Sequence, residues 1–153
     1  MERLNQLIDA FWEWTAVPEI MKKCDISNLM IEPFCFWGFE EMRKKCISKT
    51  NENLTVKDIE AILFCIALDD EEEVLLNHYK ENASDTFLYM LVSAGIKFPQ
   101  TNTRWQIAEL LQRPLPNRNC FLAELANDSD PYVRKRTKNV QEALAQQSKT
   151  GCV

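Results

Sequence analysis

Two arginine-led helical segments decide the fold, and they read Arg104-Trp105-Gln106-Ile107-Ala108-Glu109-Leu110-Leu111 and Val133-Arg134-Lys135-Arg136-Thr137-Lys138-Asn139-Val140. Their leading arginines, Arg104 and Arg134, are 30 residues apart. Each segment follows a stretch with the spacing Phe-Leu-x-x-Leu, which starts at Phe87 in the first case and at Phe121 in the second. A unit of helix, loop and helix therefore occurs twice. Repetition at this period predicts stacked helix pairs.

The composition is that of a folded helical protein. The 153 residues are 46% hydrophobic and include only 3 glycines, so we expect one all-α domain with its own core. The longest apolar run, Ala61–Leu68, is far shorter than the roughly 20 residues needed to span a bilayer. The N-terminus shows no signal-peptide core, and the predicted location is the cytoplasm.

Apolar periodicity and capping residues divide the chain into about nine helices and no strand. Thr55 and Asp58 predict a capping box, Gly95 predicts a left-handed helix end, and Thr103 predicts a helix start. We expect a single domain over residues 1–147 and a flexible tail over 148–153. Its predicted N-terminal helices cover residues 2–15, 18–24, 33–48 and 55–68, with a turn at 25–32 and a loop at 50–53. The acidic run at 69–73 is expected to lead into a further helix that ends near residue 81.

The acidity of the chain comes from residues 52–85, which hold 10 acidic residues against 2 basic ones. Five consecutive acids follow the most apolar predicted helix. Such a concentration of charge is typical of a surface that attracts a basic protein, although a merely solvated helix start has the same composition. The predicted partner-binding residues are Glu60, Asp69, Asp70, Glu71, Glu72, Glu73, Glu81 and Asp85.

The final helix pair resembles the short HEAT-like repeats, through Leu122-x-x-Leu125, the turn Asp128-Ser129-Asp130-Pro131, and Val133-Arg134-x-x-Thr137. This resemblance covers residues 84–147 and implies antiparallel helix pairs stacked as a short α-solenoid, with residues 1–83 as an atypical N-terminal helical part. It also implies that the arginines pair with turn carboxylates and so tie one repeat to the next. The residues expected in this role are Arg104, Asp128, Asp130 and Arg134.

The sequence offers no pattern typical of a catalytic, metal or cofactor site. No Cys-x-x-Cys occurs among the 6 cysteines, which we expect to be free buried thiols, and His78 is the only histidine. The basic run at 134–138 is expected to be a solvated helix face, since the chain as a whole is acidic and nucleic-acid binders carry a basic surface. The aromatic groups near residues 11–14 and 34–39 are expected in the core, with one or two tryptophans left for an interface.

These features are similar to those of small bacterial immunity proteins, which neutralise a toxin domain by binding it. The leading hypothesis is a non-catalytic immunity protein, in a contact-dependent inhibition system, that blocks the cleft of a cognate basic toxin, expected to be a nuclease. We expect no cofactor, small-molecule substrate or direct nucleic-acid binding. One alternative is a HEAT-like adaptor or scaffold in an endogenous complex. The other is a HEAT-like protein acting on nucleic acid, which a salt-dependent shift of labelled DNA or RNA would reveal.

Overall fold

The computed structural model describes residues 2–16, 33–49 and 54–150 of the chain. Within these ranges the fold contains eight α-helices and no strand, which confirms the all-α class. The helices are α1 (Glu2–Thr15), α2 (Phe39–Ser48), α3 (Val56–Leu68), α4 (Val74–Asn82), α5 (Asp85–Gly95), α6 (Thr101–Leu110), α7 (Arg118–Leu125) and α8 (Pro131–Thr150). In these described parts no helix combines the length and apolar character needed to cross a membrane.

The N-terminal helices differ from the predicted ones at one point. Helix α1 has the predicted bounds, but the helix expected from Pro33 begins as a 3-10 turn, Pro33–Cys35, and α2 starts only at Phe39. The turn places the buried ring of Phe36 against the buried ring of Phe11 in α1, with 5.5 Å between the ring centroids. The helix expected at 18–24, the turn at 25–32 and the loop at 50–53 lie outside the described residues.

Helix α3 lies in the core, as its apolar composition predicts. Thr55 accepts a hydrogen bond from the Asp58 N–H at 3.3 Å, and the Asp58 carboxylate accepts one from the Thr55 N–H at 2.8 Å. This capping box starts the helix, and all residues from Ala61 to Leu68 are buried. Helices α1, α2, α5 and α6 pack around it. Burial on every side explains why this segment has no polar face.

The end of α5 corrects the role expected of Gly95. The helix ends at this glycine, but its φ angle is not positive, so no left-handed cap is formed. A Cβ atom at this position would lie 2.5 Å from Cγ1 of Ile107 and 3.0 Å from Cδ2 of Leu63. The glycine is therefore needed for the close approach of α5 to α6 and α3, rather than for a turn.

The start of α6 is also displaced from the prediction. The helix begins at Thr101, with Gln100 as its N-cap, and Thr103 is buried inside it. The Thr103 hydroxyl donates to the carbonyl of Leu63 at 2.8 Å, and Gln106 Nε2 donates to the carbonyl of Ile66 at 2.7 Å. These buried polar groups cross to α3 and fix its position against α6.

The C-terminal helices pack on α6, which contacts α3, α4, α5, α7 and α8. Asp130 caps α8 by accepting from the N–H groups of Tyr132 at 2.7 Å and Val133 at 3.2 Å. Helix α8 then continues to Thr150, so the first residues of the tail expected from position 148 are helical. Residues 151–153 lie outside the described part.

Candidate partner-binding surface

The acidic turn at residues 69–73 connects α3 to α4 and is anchored by its first residue. Asp69 is 0% exposed. Its Oδ1 accepts hydrogen bonds from Arg43, with Nε at 2.7 Å and Nη2 closer still, and its Oδ2 accepts one from the Leu75 N–H at 2.6 Å. Asp69 therefore lies in the interior, where it anchors α2 and starts α4. It does not belong to the surface on which the sequence placed it.

Arg43 holds this turn from the side of α2. The guanidinium is buried, and besides Asp69 it donates to Glu40 at 2.7 Å and to Glu72 at 2.5 Å. Its central carbon also lies 4.7 Å from the centre of the Phe39 ring. Burial alone would lower the pKa of Arg43, but the hydrogen bonds to Asp69, Glu72 and Glu40 raise it above its ordinary value. The arginine is therefore charged at every physiological pH.

Burial favours the neutral form of each group, so it raises the pKa of the buried carboxyl groups in the turn. It raises the pKa of Asp69 above its ordinary value, although the Leu75 N–H and Arg43 limit the rise. It raises the pKa of Asp70 too, while the half-buried Asp70 carboxylate accepts from Asn102 Nδ2 at 2.7 Å. Asp69 and Asp70 thus join the turn to α2 and α6, and the turn is held from both sides.

The rest of the turn reaches solvent. Glu71 and Glu72 are exposed, and Glu71 forms no ion pair within the described part of the chain. Glu73 begins α4 with a positive φ of 53°, and its Oε1 lies 4.0 Å from Nη2 of Arg136. The turn therefore projects two carboxylates outward from a backbone that is fixed inside the domain.

The three other acids predicted for this surface are not bonded to the turn. Glu60 is exposed on α3, where it lines an apolar groove of about 580 Å³ between α3 and α5. Glu81 is exposed on α4. Asp85, the first residue of α5, pairs with Nη2 of Arg113 at 2.6 Å. The structure brings together the members of the turn and leaves these three at separate places.

The two leading arginines of the C-terminal helices make equivalent main-chain bonds. Nη1 of Arg104 donates to the carbonyls of Phe98 and Pro99, both at 2.9 Å. Nη1 of Arg134 donates to the carbonyls of Asp128 and Ser129, at 2.7 and 2.8 Å. In both cases the acceptors lie six and five residues before the arginine, so each arginine closes its own helix-to-helix turn.

Among the described residues, Arg104 also pairs with a carboxylate and Arg134 does not. Nε of Arg104 lies 2.8 Å from Oδ2 of Asp128 and its Nη2 lies 3.2 Å from Oδ1. This bidentate pair joins α6 to the turn between α7 and α8. Arg134, for which the resemblance implied a carboxylate partner, has the two carbonyls instead.

A second link of this kind went unrecognised in the sequence. Arg43 on α2 pairs with Asp69 in the turn after the next helix, α3, as Arg104 on α6 pairs with Asp128 in the turn after α7. The spacings are similar, 26 and 24 residues. Arg43 stands in the run Arg43-Lys44-Lys45, where nothing local distinguishes it, so only the distance to a turn aspartate could have marked it.

Three of the four basic side chains in the run on α8 form contacts within the protein. Arg136 lies over the Trp105 ring at 4.8 Å, and its Nε lies 2.9 Å from Oε1 of Glu109. Lys138 pairs with Glu142 one turn later at 3.7 Å. Arg134 is engaged with the carbonyls of its turn. Lys135 is exposed.

The cysteines are only in part the buried thiols that were expected. Cys46 and Cys65 are buried, whereas Cys35 and Cys120 are exposed. A hydrogen bond to Cys46, together with burial, raises the pKa of Cys65 well above its ordinary value. Cys24 and Cys152 lie outside the described residues. In the described part, no three metal-ligating side chains are placed to hold an ion.

Comparisons with models of protein families, with curated proteins and with solved structures found no match to this chain.

Proposed function

We propose that this protein is a non-catalytic binding protein of the immunity type, which neutralises a basic toxin domain by covering its substrate-binding cleft in a one-to-one complex. The chain supplies a fixed acidic surface, and the toxin supplies the basic cleft, which in a nuclease would otherwise hold nucleic acid. The proposal has two parts, an architecture of stacked helix pairs and a recognition surface on the acidic turn.

The proposed architecture is a short HEAT-like stack in which α5 with α6 and α7 with α8 form two repeats. It is supported by the packing of α6 on α8 and by the equivalent arginine bonds of Arg104 and Arg134. The pair Arg43–Asp69 extends the same link to the N-terminal helices. Such a stack is a scaffold that presents surfaces to partners, and its function is carried by the side chains on those surfaces.

The anchoring of the acidic turn is the observation that carries the proposal. Asp69 is fixed inside the domain, while Glu71 and Glu72 are exposed beside it. A surface that is already ordered loses little conformational entropy on binding, so its charge contributes more fully to affinity and orientation. A solvated helix start would require no buried anchor of this kind.

The charge around the turn supports a basic partner. Three cations, Arg43, Arg136 and Lys80, pair with the surrounding carboxylates in the described part of the chain. The seven carboxylates of this group are Glu40, Asp69, Asp70, Glu71, Glu72, Glu73 and Glu109. The local excess of negative charge would accelerate association with a basic cleft and orient it.

The test is co-expression with the C-terminal domain encoded by the adjacent upstream gene. We expect a stable one-to-one complex and protection of the host cell from that domain. The charge-reversal variant Glu71→Lys should lower the association rate by about tenfold at low salt, because it removes steering without removing an intramolecular ion pair. Glu142→Lys, an equal change of charge at an exposed site on α8, is the matched control.

Two outcomes would overturn the proposal. Failure of the wild-type chain to bind or protect against the domain would reject the immunity function. Equal effects of Glu71→Lys and Glu142→Lys on the association rate would reject the acidic turn as the recognition surface.

A further inference from the structure

Two tryptophans form an exposed aromatic platform at the N-terminal end of the described structure. Trp37 is 76% exposed and Trp14 is 42% exposed, the former just before α2 and the latter near the end of α1. Both pack against Phe36, with ring centroids 5.1 Å away for Trp37 and 5.7 Å away for Trp14. The two exposed indole rings therefore contact the same buried ring at this end of the structure.

The platform rests on a rigid base. Phe36 is buried, and it packs edge-on against the fully buried Phe11 of α1. Gly38 keeps the connection to α2 tight, since a Cβ there would lie 2.6 Å from Cε1 of Phe36. Neither indole N–H donates to a described residue. Two large rings are thus held at the surface against a buried base.

One edge of the platform is acidic and is continuous with the acidic turn. Glu40 follows Trp37 by three residues in the first turn of α2, and its side chain is 66% exposed. Its carboxylate shares the Arg43 guanidinium with Glu72 of the turn. Glu13, exposed on α1, directly precedes Trp14. Arg43 of α2 therefore links Glu40, which lies three residues after Trp37, to Glu72 of the acidic turn.

We propose that Trp37 and Trp14 receive a cationic side chain of the basic partner, with arginine favoured over lysine, and act as the anchor of the interface that the acidic turn orients. This inference rests on the proposed function and names the residue chemistry that the partner presents. An indole face attracts a cation through its quadrupole, and nearby carboxylates add to that attraction. Arginine is favoured because its planar guanidinium can stack on the ring while it donates to Glu40. Tryptophan and arginine are also the residues most enriched among binding hot spots.

The test measures affinity for the same upstream-encoded toxin domain, together with the melting temperature of each variant alone. We expect Trp37→Ala to weaken binding by at least about tenfold. Its melting temperature should stay within about 2 °C of wild type, because the ring is mostly exposed. Tyr132→Ala, an exposed aromatic change on α8, is the matched control and should leave the affinity unchanged.

A further pair of variants separates cation binding from simple apolar contact. Trp37→Phe retains an aromatic face and Trp37→Leu does not, so the leucine variant should bind more weakly than the phenylalanine variant. Equal losses from the two would overturn the cationic occupant.

The remaining outcomes are also decisive. A complex that forms normally with Trp37→Ala would overturn the platform and leave the immunity function standing. A large fall in the melting temperature of Trp37→Ala would show that another part of this chain covers the ring, which would also overturn the platform. Failure of the wild-type chain to bind would remove the proposed function and this inference together.

Discussion

The N-terminal and C-terminal helices contain the same type of link at different depths. Arg104 and Asp128 join α6 to the α7–α8 turn with side chains that are 13% and 8% exposed. Arg43 and Asp69 join α2 to the α3–α4 turn with side chains that are 6% and 0% exposed. Arg104 also donates hydrogen bonds to two main-chain carbonyls in the turn before α6. Arg43 instead donates to three carboxylates. The same arginine–aspartate ion pair is thus partly solvated in the C-terminal helices and fully buried in the N-terminal helices.

Breaking the deeper link should have the largest effect. Arg43→Ala leaves the buried Asp69 carboxylate without its cation, and we expect a loss of about 3–5 kcal/mol in the free energy of unfolding. Urea denaturation followed by circular dichroism measures this change. In the control Arg43→Ala/Asp69→Asn the buried charge is absent, and part of the stability should return. A loss below about 1 kcal/mol for Arg43→Ala would show that the pair is not a buried centre.

Breaking the shallower link should cost less. We expect Arg104→Ala to lower the free energy of unfolding by about 2–3 kcal/mol, because hydrogen bonds to a charged group are lost but water can reach the remaining partner. The same urea experiment provides the comparison. A greater loss for Arg104→Ala than for Arg43→Ala would reverse the order of depth given by the structure.

A buried tyrosine in the N-terminal helices should make stability depend on alkaline pH. Burial raises the pKa of Tyr79 well above 10, so the folded state keeps its proton while the unfolded state loses it near pH 10. The contribution of Tyr79 to stability is therefore full below pH 10 and falls as pH rises, by up to about 1.4 kcal/mol per pH unit. Tyr79→Phe should reduce this fall between pH 10 and 11 in denaturation experiments. Cys65, whose pKa is also raised, should still supply a fall of its own from about pH 9.

Tyr79→Phe should have a second effect at neutral pH. The phenolic oxygen has no hydrogen-bond partner in the described part of the fold, so its removal should stabilise the protein by about 1 kcal/mol. Destabilisation by this variant would indicate that the hydroxyl is satisfied after all.

The smallest expected effect concerns the cap of α8 in the C-terminal part. Asp130→Ala removes the acceptor for the Tyr132 and Val133 N–H groups, and should cost about 1 kcal/mol in thermal or urea unfolding. Asp130→Asn keeps an acceptor oxygen and should cost clearly less. If the two variants were equally unstable, charge rather than capping would account for the role of Asp130.

Patterns confined to one helix or one turn could be predicted from the sequence. The α1 bounds, the Thr55–Asp58 capping box, the buried α3 and the Asp130 cap depend on residues within four positions of one another, so their physical cause lies in the local chain. The predictions for Gly95 and Thr103 were wrong because both residues serve a contact with another helix. A glycine or threonine near a helix end is typical of a cap, and only the neighbouring helix shows otherwise.

The candidate surface illustrates the same division. The sequence placed five acids in one turn, and by itself it could not tell which of them faces solvent. The structure turns Asp69 inward to Arg43, a residue 26 positions away, and leaves Glu71 and Glu72 outside. The exposure of Trp37 was equally undecided, because an aromatic residue in an apolar run is typical of a core.

The sequence alone determined that this protein is helical, where several helices begin, and which stretch carries its negative charge. These properties follow from hydrogen bonds, periodicity and charge over short distances along the chain. Only the tertiary structure decided which charges are neutralised inside the domain and which remain exposed to solvent. That outcome depends on the approach of α2 to the α3–α4 turn. A buried carboxylate without a cation would be costly there, so Asp69 requires Arg43, an arginine from another helix, as its partner.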